Sequence, residues 1–279
     1  AEADGFTHDL RLSVEEFQRR QMTIPFRSYV YLAFASGRAA RAAAARNMAL
    51  CQRILDSYRA ASPEAKAAHA ADETLVSRVD ACEAYPDDRA RCADLLILLL
   101  AGHDTTALTL SWILSDLAAH PGFQDRVRSA LRKAAPEART GVPELAAAVK
   151  ESMRLNPVAA TGSLRKLRDP LRIPDGRVLP AGSTAFMPFL LVHRGRAVDR
   201  AEEYVPERWL GPDPPEDQLM PFSAGIRNCL GKALATAEIY TVAADLVADF
   251  EFALERAPTP HYNLTRAPKG VAFRVRRAA

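Results

Sequence analysis

The feature that most constrains the fold is a strongly apolar stretch at residues 91–119, which includes LLILLLA at 95–101. Apolar side chains stand nearly all the way around a helical projection of this stretch, so the pattern predicts a helix that is buried on all sides. The helix should end before Pro121, because the residue that precedes a proline disfavours the helical conformation. The longest apolar run is too short to span a bilayer, so we expect a core helix.

The rest of the chain predicts one mainly helical domain with a minor sheet. Apolar residues recur at helical spacing in 38–60, about 123–134 and 143–155. The turn signals Pro-Asp-Gly and Pro-Ala-Gly separate β-prone runs and predict a small sheet at about 171–192. A cysteine-containing loop at 221–231 is then followed by a predicted helix at about 231–249.

Composition and charge exclude several classes of protein. The net charge of +3 and the lack of a dense basic tract argue against nucleic-acid binding. The four cysteines form no C-x-x-C pair, so we expect neither a zinc site nor a disulfide framework, and a reducing compartment is the simplest interpretation. The start of the chain shows no secretory signal peptide.

Polar residues interrupt the apolar stretch at AGHDTT, residues 101–106. An acid and two hydroxyls are costly in an apolar helix unless they have partners. Gly102 weakens the helix there, and Thr105 can bond back to the carbonyl of Ala101, which bends helices. One interpretation is a kink that binds nothing; the other is a polar notch that relays protons to a ligand. These residues alone do not favour either.

Glu151 and Arg154 in ESMR are three residues apart and share a helix face, so they can pair. In isolation, such a spacing more often belongs to a solvated surface pair. The segment PERW at 206–209 supplies a further cation, Arg208, that could complete a buried network.

The stretch PFSAGIRNCLG at 221–231 places one cysteine between glycines and beside a cation. Arg227 lies two residues before Cys229, and the helix predicted next begins with a partial positive charge. Both features favour a thiolate. Gly225 and Gly231 permit tight turns and a close approach of the backbone to something flat or bulky. The residues by themselves leave open whether the thiolate meets a metal or an electrophile.

Taken in chain order, A-G-x-D-T-T, E-x-x-R, P-E-R and F-x-x-G-x-R-x-C-x-G resemble the motifs of the heme-thiolate monooxygenases, the cytochrome P-450 family. The resemblance covers about residues 35–279 and is most specific in the cysteine loop. It implies a mainly α, cytochrome P-450-like helical domain with a small β-sheet, which is incomplete at its N-terminus. It also implies heme b as the cofactor.

The resemblance implies roles for the matching positions. Cys229 would be the axial ligand of the heme iron, with Phe222 packed beside it. Arg227 would meet a heme propionate, and Arg165 resembles the family's other propionate-binding arginine. The implied cofactor-binding set is Phe222, Gly225, Arg227, Cys229, Gly231 and Arg165.

Two further groups follow from the same resemblance. Asp104 and Thr105 would be the catalytic pair that manages protons and water beside bound dioxygen. Glu151, Arg154 and Arg208 would form the buried charge network that holds the heme-binding core.

The implied activity is the insertion of one atom of dioxygen into a hydrophobic organic substrate, with residues 158–163 lining the substrate pocket. Electrons would come from a separate flavoprotein reductase or ferredoxin, since no Gly-rich nucleotide-binding fingerprint is present. The motifs PERW and FSAGIRNCLG resemble those of eukaryotic microsomal members of the family more than those of soluble bacterial members. We therefore expect an intracellular protein, and the resemblance leaves open whether the full-length form associates with the endoplasmic reticulum membrane. Any membrane anchor would lie in the missing N-terminal part.

The sequence also departs from the family pattern. The family carries a long additional segment before the region that matches residue 35, with a Trp-x-x-x-Arg motif that is absent here. We therefore predict that residues 1–279 form a single partial domain from the C-terminal part of a monooxygenase. Two alternatives remain: a truncated non-catalytic heme-binding fragment, and a heme-thiolate isomerase or dehydratase. The pair Asp104 and Thr105 argues against the second alternative.

Overall fold

The structure is a computed structural model. The part of the chain that it describes comprises residues 2–22, 30–196, 198–262 and 264–278. Most of these residues are helical, and the strands form only two-stranded sheets. The predicted mainly α fold with a minor β component is therefore confirmed. The chain divides into two compact units, Ala1–His103 and Asp104–Ala279.

The described part of the first unit contains helices and no strands. Its elements are α1 (Glu2–Met22), a 3-10 turn (Tyr31–Ala33), α2 (Ala35–Ala60), α3 (Pro63–Ala71), α4 (Leu75–Ala81) and the start of α5 (Asp88–Ala119). Helix α3 begins at Pro63, where the Ser62 hydroxyl accepts a hydrogen bond from the Ala65 N–H at 3.2 Å. The core of this unit consists of Cys51, Leu55, Val79, Cys92 and Leu95.

Helix α5 is the long apolar helix, but the prediction that it is buried on all sides is wrong for its first half. Ile97 is 53% exposed and Leu99 is 37% exposed. The reason is that this half packs by one face only, through Cys92 and Leu95, against residues of α2 and α4. By length and composition the helix could cross a membrane, although the contiguous apolar run is short.

The second unit contains the end of α5 and all of the predicted site residues. Its helices are α6 (Pro121–Lys133), α7 (Pro143–Leu155), α8 (Phe189–Val192) and α9 (Lys232–Asp249). Its 3-10 turns are Pro136–Gly141, Pro206–Trp209, Glu216–Gln218 and Gly225–Arg227. The core of this unit includes Ile113, Leu117, Val127, Leu131, Leu145, Val149, Ala243 and Val247. Because α5, α6, α7 and α9 all contribute, this core fixes the helix that carries ESMR and the helix that follows the cysteine.

Among the described residues of the second unit, eight short strands form four antiparallel pairs. The strands are β1 (Ser163–Lys166), β2 (Leu171–Arg172), β3 (Val178–Leu179), β4 (Thr184–Met187), β5 (Phe250–Arg256), β6 (Thr259–Tyr262), β7 (Arg266–Lys269) and β8 (Ala272–Arg277). The pairs are β1 with β4, β2 with β3, β5 with β8, and β6 with β7.

The single sheet predicted at about 171–192 is therefore wrong in detail. Its residues contribute to two sheets, and β1 lies before the predicted start. Residues 189–192 are helical instead, with Pro188 as the residue that precedes the helix. Short apolar runs do not distinguish a strand from a buried helical turn, so the sequence could not separate these alternatives.

Candidate active site

The cysteine loop is a compact turn closed by its own backbone. The N–H of Cys229 donates to the carbonyl of Phe222 at 2.8 Å, and the N–H of Asn228 donates to the carbonyl of Gly225 at 3.1 Å. Gly225 has a φ of +74°, a conformation that favours glycine, and Ser223 has a φ of +60°. Helix α9 begins three residues after Cys229, as the sequence predicts, at Lys232.

Cys229 and several large apolar side chains around it are exposed to solvent. Cys229 is a free, exposed thiol. Ile226 is 99% exposed, Leu230 is 86% exposed, and Leu234 in the first turn of α9 is 62% exposed. A thiol within such a patch fits a large, flat, apolar group that carries a sulfur-binding metal. Within the described part of the chain, no three His, Cys, Asp or Glu side chains gather as an alternative metal site.

The two predicted propionate-binding arginines occupy different local environments. Arg227 ends the 3-10 turn that precedes the cysteine and is exposed. Arg165 lies in β1, is half-buried, and donates from Nη1 to the carbonyl of its neighbour Leu164 at 3.1 Å. Either guanidinium group could bind a carboxylate, because an arginine donates two parallel hydrogen bonds to the two carboxylate oxygens.

The predicted catalytic pair lies in the middle of α5. Asp104 and Thr105 are half-buried, whereas His103 is exposed. The helix continues without interruption through this motif. The carbonyl of Thr105 accepts a hydrogen bond from the Thr109 hydroxyl at 2.8 Å. A second hydroxyl is thus held one helical turn further along the chain, a contact that the motif did not reveal.

Glu151 and Arg154 form a fully buried ion pair, not the solvated surface pair that their spacing usually produces. Both side chains are 0% exposed, and the Arg154 guanidinium makes two parallel hydrogen bonds of 2.9 Å to the Glu151 carboxylate. Arg208 joins them through Nε, at 3.2 Å from Glu151 Oε1. The structure therefore brings together all three residues of the predicted network.

Two further groups donate hydrogen bonds to the Glu151 carboxylate. The backbone N–H of Val205 donates to it at 2.8 Å, and the indole N–H of Trp209 donates at 2.8 Å. Burial by itself raises the pKa of Glu151, but the bonds from Arg154, Val205 and Trp209 outweigh it and hold the pKa below its usual value. The carboxylate is consequently stable as an anion inside the protein. No sequence pattern marked Val205 as a partner of Glu151, whereas Trp209 stands within PERW.

A second buried polar cluster was missed by the sequence. Asn156 donates from Nδ2 to Asp116 at 3.2 and 3.0 Å, and Arg266 donates to Asn156 Oδ1. The Arg266 guanidinium lies 4.5 Å from the centre of the Trp112 ring. The indole N–H of Trp112 donates a hydrogen bond of 3.0 Å to the backbone carbonyl of Arg266. Burial raises the pKa of Asp116 to about 6, against the opposing hydrogen bonds from Ser152 and Asn156.

The chain is similar in sequence to known proteins. The family model for cytochrome P450 matches residues 5–274. Human cytochrome P450 4F12 is 36% identical over 197 residues, which cover 65% of this chain and 37% of that protein. The taurochenodeoxycholic 6 alpha-hydroxylase of Sus scrofa is 32% identical over 219 residues, which cover 74% of this chain and 43% of the relative.

A solved structure shares the fold of this chain. A crystal structure of a cytochrome P450 (CYP102L1) superimposes with a TM-score of 0.81 and 20% identity, covering 98% of this chain and 65% of that one. The chain spans less than half the length of the two sequence relatives named above. Because the family model extends over nearly all of its residues, the chain belongs to the cytochrome P450 family.

Proposed function

We propose that this chain is the heme-ligating part of a monooxygenase that inserts one atom of dioxygen into a hydrophobic organic substrate. The observation that carries the proposal is the exposed Cys229 thiol, held by its backbone to Phe222 and surrounded by exposed apolar side chains. One similar protein is named a hydroxylase, which agrees with this reaction class.

Heme b fits the residues that are present. Cys229 would bind the iron as a thiolate, and Ile226 and Leu230 would cover the apolar porphyrin. Arg227 and Arg165 would pair with the propionates, since both are cations able to bind carboxylates. When bound, a thiolate-ligated heme supplies the chemistry that cleaves the O–O bond.

The neighbouring residues would support that ligand and control protons. Glu151, Arg154 and Arg208 would keep α7 fixed to the segment that leads towards the cysteine loop, which preserves the position of the thiol. Asp104 and Thr105 would manage protons and water beside bound dioxygen, from the polar motif in the middle of α5. These are roles for the matching residues and rest on the family assignment.

The substrate pocket would include residues 158–163, which follow α7 and end at the first residue of β1. Val158 and Ala160 are buried, so they shape the base of this loop and not its open side. Gly162 has a φ of +68°, and a Cβ at this position would lie 1.9 Å from the carbonyl oxygen of Met187. Any larger residue there would displace β4, so the loop conformation depends on this glycine.

The remaining expectations are part of the same proposal. Electrons would come from a separate flavoprotein reductase or ferredoxin, and no nucleic acid is involved. Residues 1–279 would be part of a single cytochrome P450 domain, which the 98% coverage by one family structure supports. Membrane association of the full-length protein, in an intracellular compartment, stays a prediction.

The optical spectrum of the reduced protein with carbon monoxide tests the proposal. The protein in its full natural length, expressed with heme, should show a strongly red-shifted Soret band, and Cys229→Ala should lose it. The matched control is Cys82→Ala, which removes another exposed, free thiol and should leave the band unchanged. Retention of the band or of turnover in Cys229→Ala would refute the assignment of the ligand. A thiolate band without turnover of any apolar substrate would instead favour a non-catalytic heme-binding protein.

A further inference from the structure

A fully buried histidine lies between the Glu151–Arg154 ion pair and the cysteine loop. His193 follows helix α8 and is 0% exposed. Its backbone carbonyl accepts a hydrogen bond from Arg154 Nη1 at 3.1 Å. The same arginine donates to the carbonyls of Ala201 at 2.7 Å and Glu203 at 2.9 Å, so the segment after α8 is anchored to α7 at several points.

The imidazole of His193 contacts Met220, the residue that directly precedes the cysteine loop. Its Nε2 atom lies 2.9 Å from the backbone nitrogen of Met220, whose N–H is the donor. The ring also stacks on Phe189, with the ring centres 6.2 Å apart and an angle of 11° between the planes. Since Nε2 accepts this bond, the ring must be neutral and carry its proton on Nδ1.

The environment keeps the imidazole in that neutral form. Burial lowers the pKa of His193 to about 4, although the backbone carbonyls of Arg154 and Met153 act in the opposite direction. The positive charge of Arg154 adds to the lowering. Near neutral pH the acceptor on Nε2 is therefore permanently available to Met220.

Met220 is connected to the cysteine through two backbone hydrogen bonds. The carbonyl of Met220 accepts from the N–H of Ser223 at 3.1 Å, which forms the turn that contains Phe222. The carbonyl of Phe222 then accepts from the N–H of Cys229 at 2.8 Å. Each contact in this series restrains the next, from the buried ion pair through the imidazole to the thiol.

We propose that His193 is a positioning residue that fixes the orientation of Cys229 by accepting the Met220 N–H and thereby holding the first turn of the cysteine loop. The proposal rests on the proposed role of Cys229 as the heme ligand. Without the imidazole acceptor, the Met220 N–H would lose its partner, and the turn from Met220 to Ser223 would open more often. The thiolate would then be held less firmly against the iron and would be more easily lost.

Three variants of the full-length, heme-loaded protein separate the hydrogen bond from the packing. His193→Phe keeps an aromatic ring beside Phe189 but has no acceptor, and His193→Gln restores an acceptor on a side chain of similar reach. His261→Leu is the control, since His261 is an exposed histidine in β6. If His193→Phe does not fold, His193→Leu replaces it as the variant without an acceptor.

Two measurements are made on each variant. Amide hydrogen exchange is followed in peptides that contain Met220, where the variant without an acceptor should exchange roughly tenfold faster, as expected for a lost hydrogen bond. The fraction of total heme that gives the red-shifted carbon monoxide band should fall in the same variant. Both values should return towards those of the wild type in His193→Gln and should not change in His261→Leu.

The outcomes distinguish the two proposals. If the wild type gives no red-shifted band, the heme-thiolate function fails, while faster exchange at Met220 would still support the contact with His193. If the wild type gives the band and the variants with and without an acceptor behave alike, the positioning role of His193 is refuted. Recovery in His193→Gln supports the role of the acceptor, because a purely structural effect of removing the histidine would not be reversed.

Discussion

Replacing Glu151 by glutamine removes the negative charge at the centre of the buried network while it keeps the size of the side chain. Arg154, which is 0% exposed, would remain as a buried cation with only carbonyl partners, and Arg208 would lose its only described ion-pair partner. Leaving one member of a buried pair without its counter-charge costs about 3–5 kcal/mol. We therefore expect Glu151→Gln to lower the free energy of unfolding by that amount near neutral pH.

Equilibrium unfolding in urea measures this loss. The matched control is Glu255→Gln, which breaks an exposed pair with Arg274 at 3.0 Å and should change the stability by less than about 1 kcal/mol. Because the pKa of Glu151 is lowered in the folded protein, its contribution is present above its unfolded value of 4.5 and is lost as the pH falls through the folded value. A loss no larger than that of the control, or one independent of acidification, would refute this reasoning.

Two further predictions concern the polar residues of α5. In the full-length protein, Thr105→Ala should lower the product formed per electron pair by roughly 100-fold, the lower end of the effect of a positioned proton donor, without loss of the red-shifted carbon monoxide band. Unchanged coupling would favour the isomerase or dehydratase alternative. Asp116→Asn should gain on the order of 3 kcal/mol of stability relative to the wild type when the pH is raised from below 3.8 to above 6. The pKa of Asp116 rises from 3.8 in the unfolded chain to about 6 in the folded protein, so the wild type loses stability over this range as the buried carboxyl ionises, and asparagine does not. Urea unfolding at both pH values measures this difference, and an equal effect at the two values would contradict it.

Much of the helical part of the fold could be predicted from local patterns. The predicted helix at 143–155 agrees with α7 at both ends, because Pro143 starts it and Asn156-Pro157 stops it. The four small sheets were harder, since β1 pairs with β4 across an intervening hairpin and the pairing register depends on residues far along the chain. The helix α1 had no clear signal in the mixed residues 1–30.

The candidate site shows the same division. The spacing in the cysteine loop identified Cys229, Phe222 and Arg227 as a group, because their backbone turn is local. No comparable signal marked His193, whose partner Met220 is 27 residues away. A single histidine in a loop has many possible environments, and only packing determines whether it is solvated or accepts a buried hydrogen bond.

The sequence by itself determined which chemical groups the chain carries and how they are spaced. They are a cysteine in a glycine-containing loop, a polar motif within an apolar helix, and an acidic and a basic residue on one helix face. These features depend on residues that are close together in the sequence, so they can be recognised without knowledge of the fold. The tertiary structure alone decided that Glu151 and Arg154 are buried, that Ile97 and Leu99 are not, and that His193 contacts the cysteine loop. The physical reason is that burial and desolvation arise from residues brought together from distant positions, and these set the free energy of every charge and hydrogen bond.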